Sequence, residues 1–110
     1  METFDLTRLF SGHDFSKEQY FEFLRAPSLS VGLYVLAAGA TDPQQPHTED
    51  EVYHVVEGRA RIRVGEEDLA VEAGTAVFVE AGVDHRFHDI EEDLTVLVFF
   101  APAEDSSRGG

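Results

Sequence analysis

The chain has 110 residues, with 22 Asp and Glu against 8 Lys and Arg, a formal charge of −14, and neither Cys nor Trp. That charge has the wrong sign for a nucleic-acid backbone or an acidic membrane surface, both of which need Lys and Arg for neutralisation. The lack of cysteine excludes disulfides, thiolate ligands, iron–sulfur clusters and thiol nucleophiles, so any metal must be held by nitrogen and oxygen donors. With 43% hydrophobic residues, one folded domain over 1–110 is expected, not a disordered chain. Met1–Asp5 has neither the basic nor the apolar part of a secretory leader, and the apolar run Leu33–Ala38 is far short of the about 20 residues of a membrane span. A cytoplasmic protein is the expectation, with most of the acidity serving solubility or adaptation to salt.

In chain order, Ser16 with Gln19 three residues on reads as a capping box. Tyr20, Phe23 and Leu24 then share one helical face, and Ala26-Pro27 ends the run. This predicts the one short helix, in an N-terminal arm over 1–27. After Pro27 the period changes to two. Leu29, Val31, Leu33, Val35 and Ala37 alternate with Ser30, Gly32 and Tyr34, the pattern of a half-buried strand ending at Gly39. Thr41–Pro46 is a Pro/Gln loop.

From Glu51 the chain is a series of short strands and turns. Glu51–Glu57 passes through Gly58 into Arg59–Val64; Leu69–Glu72, Ala76–Glu80, His85–Ile90 and Leu94–Phe100 follow. Glu66-Glu67-Asp68 and Glu91-Glu92-Asp93 read as wet turns. Gly58, Gly65, Gly74 and Gly82 read as corners that need a residue without Cβ. Seven or so short strands make an all-β barrel or sandwich, spanning about 29–101, with a frayed tail at 103–110.

Two strands say more. Arg59, Arg61 and Arg63 share one face, best read as an outer surface paired with acids, with an anion clamp as the other option. Leu94–Phe100 is apolar on both faces, which predicts a subunit interface and, most simply, a two-fold homodimer.

Of the five histidines, His47 stands four residues before Glu51, and His85 opens a later strand. Even spacing on an extended strand returns side chains to one face, so His47, Glu51 and His85 can converge. Two imidazoles and a carboxylate with open positions suit Fe(II) or a similar divalent ion. Glu49 has the same parity and is a further candidate ligand. Tyr53 and Phe87 are in phase with this set and are candidate cavity walls. His54 and His88 are out of phase and read as outer-face or interface residues, and His13 as solvated. Phe78 fits either face.

The framing of these residues resembles the cupin superfamily. That family's first motif has Gly, a loop, His-x-His, three or four residues, Glu, six residues and Gly. This chain has Gly39, Gln45-x-His47, Glu51 and Gly58 at that spacing. The second motif has Gly, five residues, Pro-x-Gly, two residues, His, three residues and Asn; here stand Gly74, Glu80-Ala81-Gly82, His85 and Asp89. The resemblance covers about Leu29–Ala101. It implies a jelly-roll β-barrel (double-stranded β-helix) of two antiparallel sheets, with the metal in the cavity. It also implies His47, Glu51 and His85 as metal ligands, and Gln45, in place of the first His, as a possible fourth through its amide oxygen. Three departures, at Gln45, Glu80 and Asp89, leave the metal itself in question.

The function that follows is a metal-binding cupin, dioxygenase-like and acting on a small organic substrate. Fe(II) is the first choice of ion, and Mn, Ni, Zn or Cu are compatible. The alternative is a non-catalytic small-molecule-binding cupin or a metal-free isomerase, and a purely structural dimerising scaffold ranks last. No nucleic acid and no membrane are expected as partners. The catalytic residues beyond the ligands, and the substrate, are not readable from sequence.

Overall fold

The computed structural model describes residues 1–43 and 46–105. Among these, one helix, α1 (Leu6–Ser11), precedes six strands: β1 (Tyr20–Ala26), β2 (Leu29–Leu36), β3 (Asp50–Val64), β4 (Glu67–Glu72), β5 (Ala76–Val79) and β6 (His85–Ala101). All pairings are antiparallel, in the order β1-β2-β6-β3-β4, with β5 added to β3. The strands form one continuous sheet instead of two separate ones, because β3 and β6 are long enough to run through both layers.

The helix expected from Ser16 is not there. Residues 20–26 form β1, and the helix lies earlier, with the Asp5 carboxylate capping the Arg8 N–H. Asp14 accepts from both the N–H and the hydroxyl of Ser16, so Ser16 belongs to a turn. The backbone of residues 20–26 pairs antiparallel with the β2 edge, Tyr20 against Tyr34, and that long-range pairing overrides the local capping pattern.

The second strand differs too. Leu33 and Leu36 are buried, but so are Ser30, Gly32 and Tyr34, so β2 is covered on both faces. Its small and polar face looks into the barrel; its apolar face looks out and is covered in part by the N-terminal segment. His13 stacks on Phe21, ring centroids 4.5 Å apart, and Phe4 packs on Phe23 at 5.0 Å. His13 is therefore half-buried against aromatic rings and not simply solvated. A Cβ on Gly32 would run into the Tyr20 ring, 2.6 Å from Cε1, so the missing side chain is what seats that phenol.

Gly58 is not a strand boundary. It sits within β3 at φ +98°, amid register shifts against β6 between Val55 and Arg61. A Cβ there would lie 2.9 Å from Leu94 Cα and closer still to the Asp93 carbonyl oxygen. The bulge bends β3 so that one strand serves both ends of the barrel. Glu91–Asp93, expected as a turn, is the matching bent stretch of β6.

The interior is filled by Leu36, Tyr53, Val55, Ile62, Phe87, Leu94, Val96, Val98 and Phe100. Arg59, Arg61 and Arg63 lie outside and are matched by acids or a carbonyl, as the surface reading expects: Arg59 Nε to Glu92 at 2.6 Å, Arg61 Nε to Asp68 at 2.9 Å, and Arg63 Nε to the Gly65 carbonyl at 3.2 Å. Ala103 and Glu104 correct the frayed tail: Ala103 is 1% exposed and the Glu104 N–H donates to Ser30 Oγ.

Candidate metal centre

One end of the barrel gathers the three residues picked out by spacing. Glu51 lies on the interior face of β3, between Val79 of β5 and Phe100 of β6. His85 opens β6. His47 lies on the loop before β3, and the turn that follows β5 holds that loop: the Gly82 N–H donates to the His47 carbonyl at 2.7 Å, and the Ala81 N–H to Asp50 Oδ1 at 2.9 Å. The Gly-containing turn and the ligand loop are thus one unit, which is a physical reason for their fixed spacing.

One ligand atom each from His47, Glu51 and His85 lies within 4.8 Å of the others. His85 Nε2 is 3.1 Å from Glu51 Oε1, and His47 Nδ1 is 3.6 Å from the same oxygen. The other nitrogen of His85, Nδ1, faces the Val83 carbonyl at 3.0 Å. A carbonyl only accepts, so Nδ1 carries a proton and Nε2 is the nitrogen turned toward Glu51. His47 Nε2 faces Glu104 Oε2 at 3.2 Å.

These groups hold one another's charge. Burial pushes the Glu51 carboxyl up, but contacts with His47, His85 and Tyr53 outweigh it and hold it below the usual carboxylate range. Burial pulls His85 down, and Glu51 and the Val83 carbonyl more than restore it. Glu104 first, then Glu51, raise His47 to about 10. A buried carboxylate stabilises whatever cation sits against it, a ring proton or a metal ion. Yet His47 Nδ1 and both Glu51 oxygens are buried without an aligned hydrogen-bond partner. Such atoms are costly in an interior, and a divalent ion among them would satisfy all three. The donor set fits a metal.

Beside the cluster lies a cavity of about 370 Å³, lined by Tyr20, Tyr34, Tyr53, Val98, Phe100, Glu104 and others. Tyr53 packs edge-on against Phe87, centroids 4.9 Å apart, and Phe100 lies 4.8 Å from the His47 ring. The Tyr34 hydroxyl donates to Asp42 Oδ1 at 2.5 Å, and Asp42 Oδ2 accepts the Phe87 N–H at 2.9 Å. The Tyr20 hydroxyl is buried with no hydrogen-bond partner.

The remaining expectations sort cleanly. Glu49 is buried, but its carboxylate takes the Thr48 hydroxyl and is not among the converging atoms. Gln45 lies outside the described residues. His54 is exposed on the outer face; His88 is outside as well, 2.8 Å from Asp68. Phe78 is 62% exposed, so it faces outward and not into the cavity. Asp89, in the motif's Asn position, adopts φ +48°, a conformation Asp tolerates nearly as well as Asn. Glu104, Asp42, Tyr20 and Tyr34 were missed as site residues. Tyr34 alone had a local signal, its phase with Ser30 and Gly32.

A family model described as "Cupin domain" matches residues 32–100. The chain belongs to the cupin family. It is 52% identical over 104 residues to an uncharacterized protein of Streptomyces coelicolor, covering 94% of this chain and 99% of that one. Among solved structures, this cupin is similar to TT1209 from Thermus thermophilus, with 30% identity, a TM-score of 0.77, and 94% and 99% of the two chains covered. KdgF from Halomonas sp. shares the fold, at 21% identity, a TM-score of 0.72, and 80% and 81% coverage. Among the described residues no helix is long and apolar enough to cross a membrane.

Proposed function

We propose that this cupin binds a divalent transition-metal ion through His47, Glu51 and His85 and works as a mononuclear, dioxygenase-like enzyme on a small organic molecule held in the adjoining cavity. The observation that carries the reading is the set of buried, unaligned atoms, His47 Nδ1 and the two Glu51 oxygens. Two imidazoles and one carboxylate are the donors of non-haem Fe(II) sites, so Fe(II) is the first choice; Mn, Ni, Zn and Cu accept the same donors. When bound, an ion with so few protein donors supplies Lewis acidity and open coordination positions. The chain's own groups do the rest. The Tyr20 ring forms part of the cavity wall, Asp42 fixes the Tyr34 phenol, and Phe100 closes the wall beside His47. The described lining includes Glu51, Glu104 and Asp105 and neither Lys nor Arg, which favours a neutral or cationic substrate over an anion.

Elemental analysis of protein purified without chelator and reconstituted with Fe(II) tests this. We expect close to one equivalent of ion, abolished in His47→Ala and in His85→Ala and mostly kept in Gln45→Ala. Less than about a tenth of an equivalent in the parent protein overturns the reading.

One observation favours a second reading, a metal-free ligand-binding cupin. His47 already lies between two carboxylates, Glu51 and Glu104, and its proton alone can balance part of their charge. In that case thermal stability rises with a small molecule and is indifferent to metal and chelator.

A cytoplasmic homodimer completes the proposal. Val52 and Phe78 are exposed large hydrophobics on the outer face, and Phe99, paired with Val52, is half-buried there. Two copies of charge −14 repel almost everywhere else. Light scattering should give the mass of two chains, and Phe78→Glu should give one.

A further inference from the structure

The loop before β3 and the turn after β5 fix the backbone of His47, but not which ring nitrogen faces Glu51. Rotating the imidazole by half a turn about its Cβ–Cγ bond changes which ring atoms face Glu51 and the cavity. Something must break that ambiguity. For His85 the Val83 carbonyl does so. For His47 the Glu104 carboxylate lies against Nε2, 3.2 Å away.

We propose that Glu104 is a positioning residue for the metal centre: it accepts the Nε2 proton of His47 and thereby holds Nδ1 toward Glu51 and the ion. The inference rests on the metal-binding reading above. Neither family motif extends to Glu104, which follows β6, yet its backbone is firmly placed. Its N–H donates to Ser30 Oγ at 2.9 Å, its carbonyl accepts from Arg25 at 2.7 Å, and Ala103 beside it is buried. A carboxylate is acceptor-only, so it selects the ring orientation that turns an N–H toward it. In neutral His47 that leaves Nδ1 with the lone pair, and Nδ1 is the buried nitrogen with no aligned partner. A carboxylate behind an imidazole also makes it a more basic donor. That matters where the first motif histidine is replaced by Gln45.

The test compares Glu104→Ala and Glu104→Gln with the parent protein. Both variants keep the backbone contacts to Ser30 and Arg25, so the segment stays docked while its carboxylate is lost. The probe is Co(II) alone, titrated into metal-free protein, with Kd from chelator competition and the d–d spectrum recorded at saturation. Glu104→Ala should weaken Co(II) by about 10- to 100-fold and shift the spectrum. Glu104→Gln, which still offers an acceptor oxygen, should recover most of the loss. A Kd for Glu104→Ala unchanged or tighter, with an unshifted spectrum, overturns the role.

A second measurement separates this role from the metal reading: the ring ¹H–¹⁵N signals of His47 in metal-free protein. The Nε2 proton should be protected from exchange in the parent protein and lose that protection in Glu104→Ala. If the parent binds no Co(II) but this change is seen, the metal reading falls and the orientation of His47 by Glu104 stands. If protection is the same in both, the orientation falls as well.

Discussion

The same two strands, β3 and β6, carry charge at both ends of the barrel, and the two ends treat it in opposite ways. Beyond Gly58, Arg59 and Arg61 meet Glu91, Glu92 and Asp68 in the open, every partner more than a third exposed. Before Gly58, Glu51 meets His47 and His85 with its side chain 1% exposed. Exposed pairs are screened by water and salt and must hold two long side chains in one geometry, so they are worth about 0–1 kcal/mol each. A buried carboxylate with unaligned neighbours is not a stabilising device in its own right. Its presence marks a site arranged for something other than folding. Distance alone would not separate the ends, since the Arg59–Glu92 contact is shorter than either contact of Glu51 with a histidine. Burial and alignment separate them.

The largest effect should come from the bulge that divides the two ends. Gly58→Ala puts a Cβ against the Asp93 carbonyl at φ +98° and should cost about 3 kcal/mol in urea unfolding. A loss under about 1 kcal/mol would mean that β3 can straighten and the two ends are not held apart by this residue.

Metal should act on one end only. At 100 times Kd, Fe(II) or Zn(II) should stabilise the protein by about 2.7 kcal/mol, reversed by chelator and absent in Glu51→Ala, while Arg61→Ala keeps the full increment. Equal responses in both variants would erase the contrast.

A third difference appears in alkali. Burial, above all, pushes the Tyr20 and Tyr34 phenols up, with the Asp42 bond adding to Tyr34. The unfolded chain then gives up these protons first, from about pH 10. Stability that is complete below about pH 10 should therefore fall as pH rises above it. Denaturant midpoints at pH 8, 10 and 11 read this directly; a flat profile would mean that the phenols are open to water. The smallest effect belongs to the arginine end: Arg61→Ala should cost no more than about 1 kcal/mol, and less in high salt.

Legibility followed the range of the interaction. The positions of Glu51, Gly74, Gly82 and His85 were readable because each is tied to a turn or to strand parity within a few residues. The β1 strand was misread because Ser16, Gln19 and the aromatic spacing carry a helix pattern that only the β2 edge, ten or so residues away, overrules. Glu104 was unreadable as a site residue. It reaches His47 across 57 positions, and the residues that aim it, Ser30 and Arg25, lie 74 and 79 positions away. Alternation groups Tyr34 with Ser30 and Gly32 on the less apolar face of β2, but it distinguishes two faces and not which is wet. In a barrel with a polar cavity, the mixed face points inward.

Gly32 has a consequence for how such a barrel changes its diet. The residue does not line the cavity itself, yet any side chain there evicts the Tyr20 ring from the wall. One mutation at a silent position would thus redraw the volume and hydrogen-bonding of the chamber while leaving the His47, Glu51 and His85 chemistry in place. The shape of this cavity is set partly by an atom that is missing.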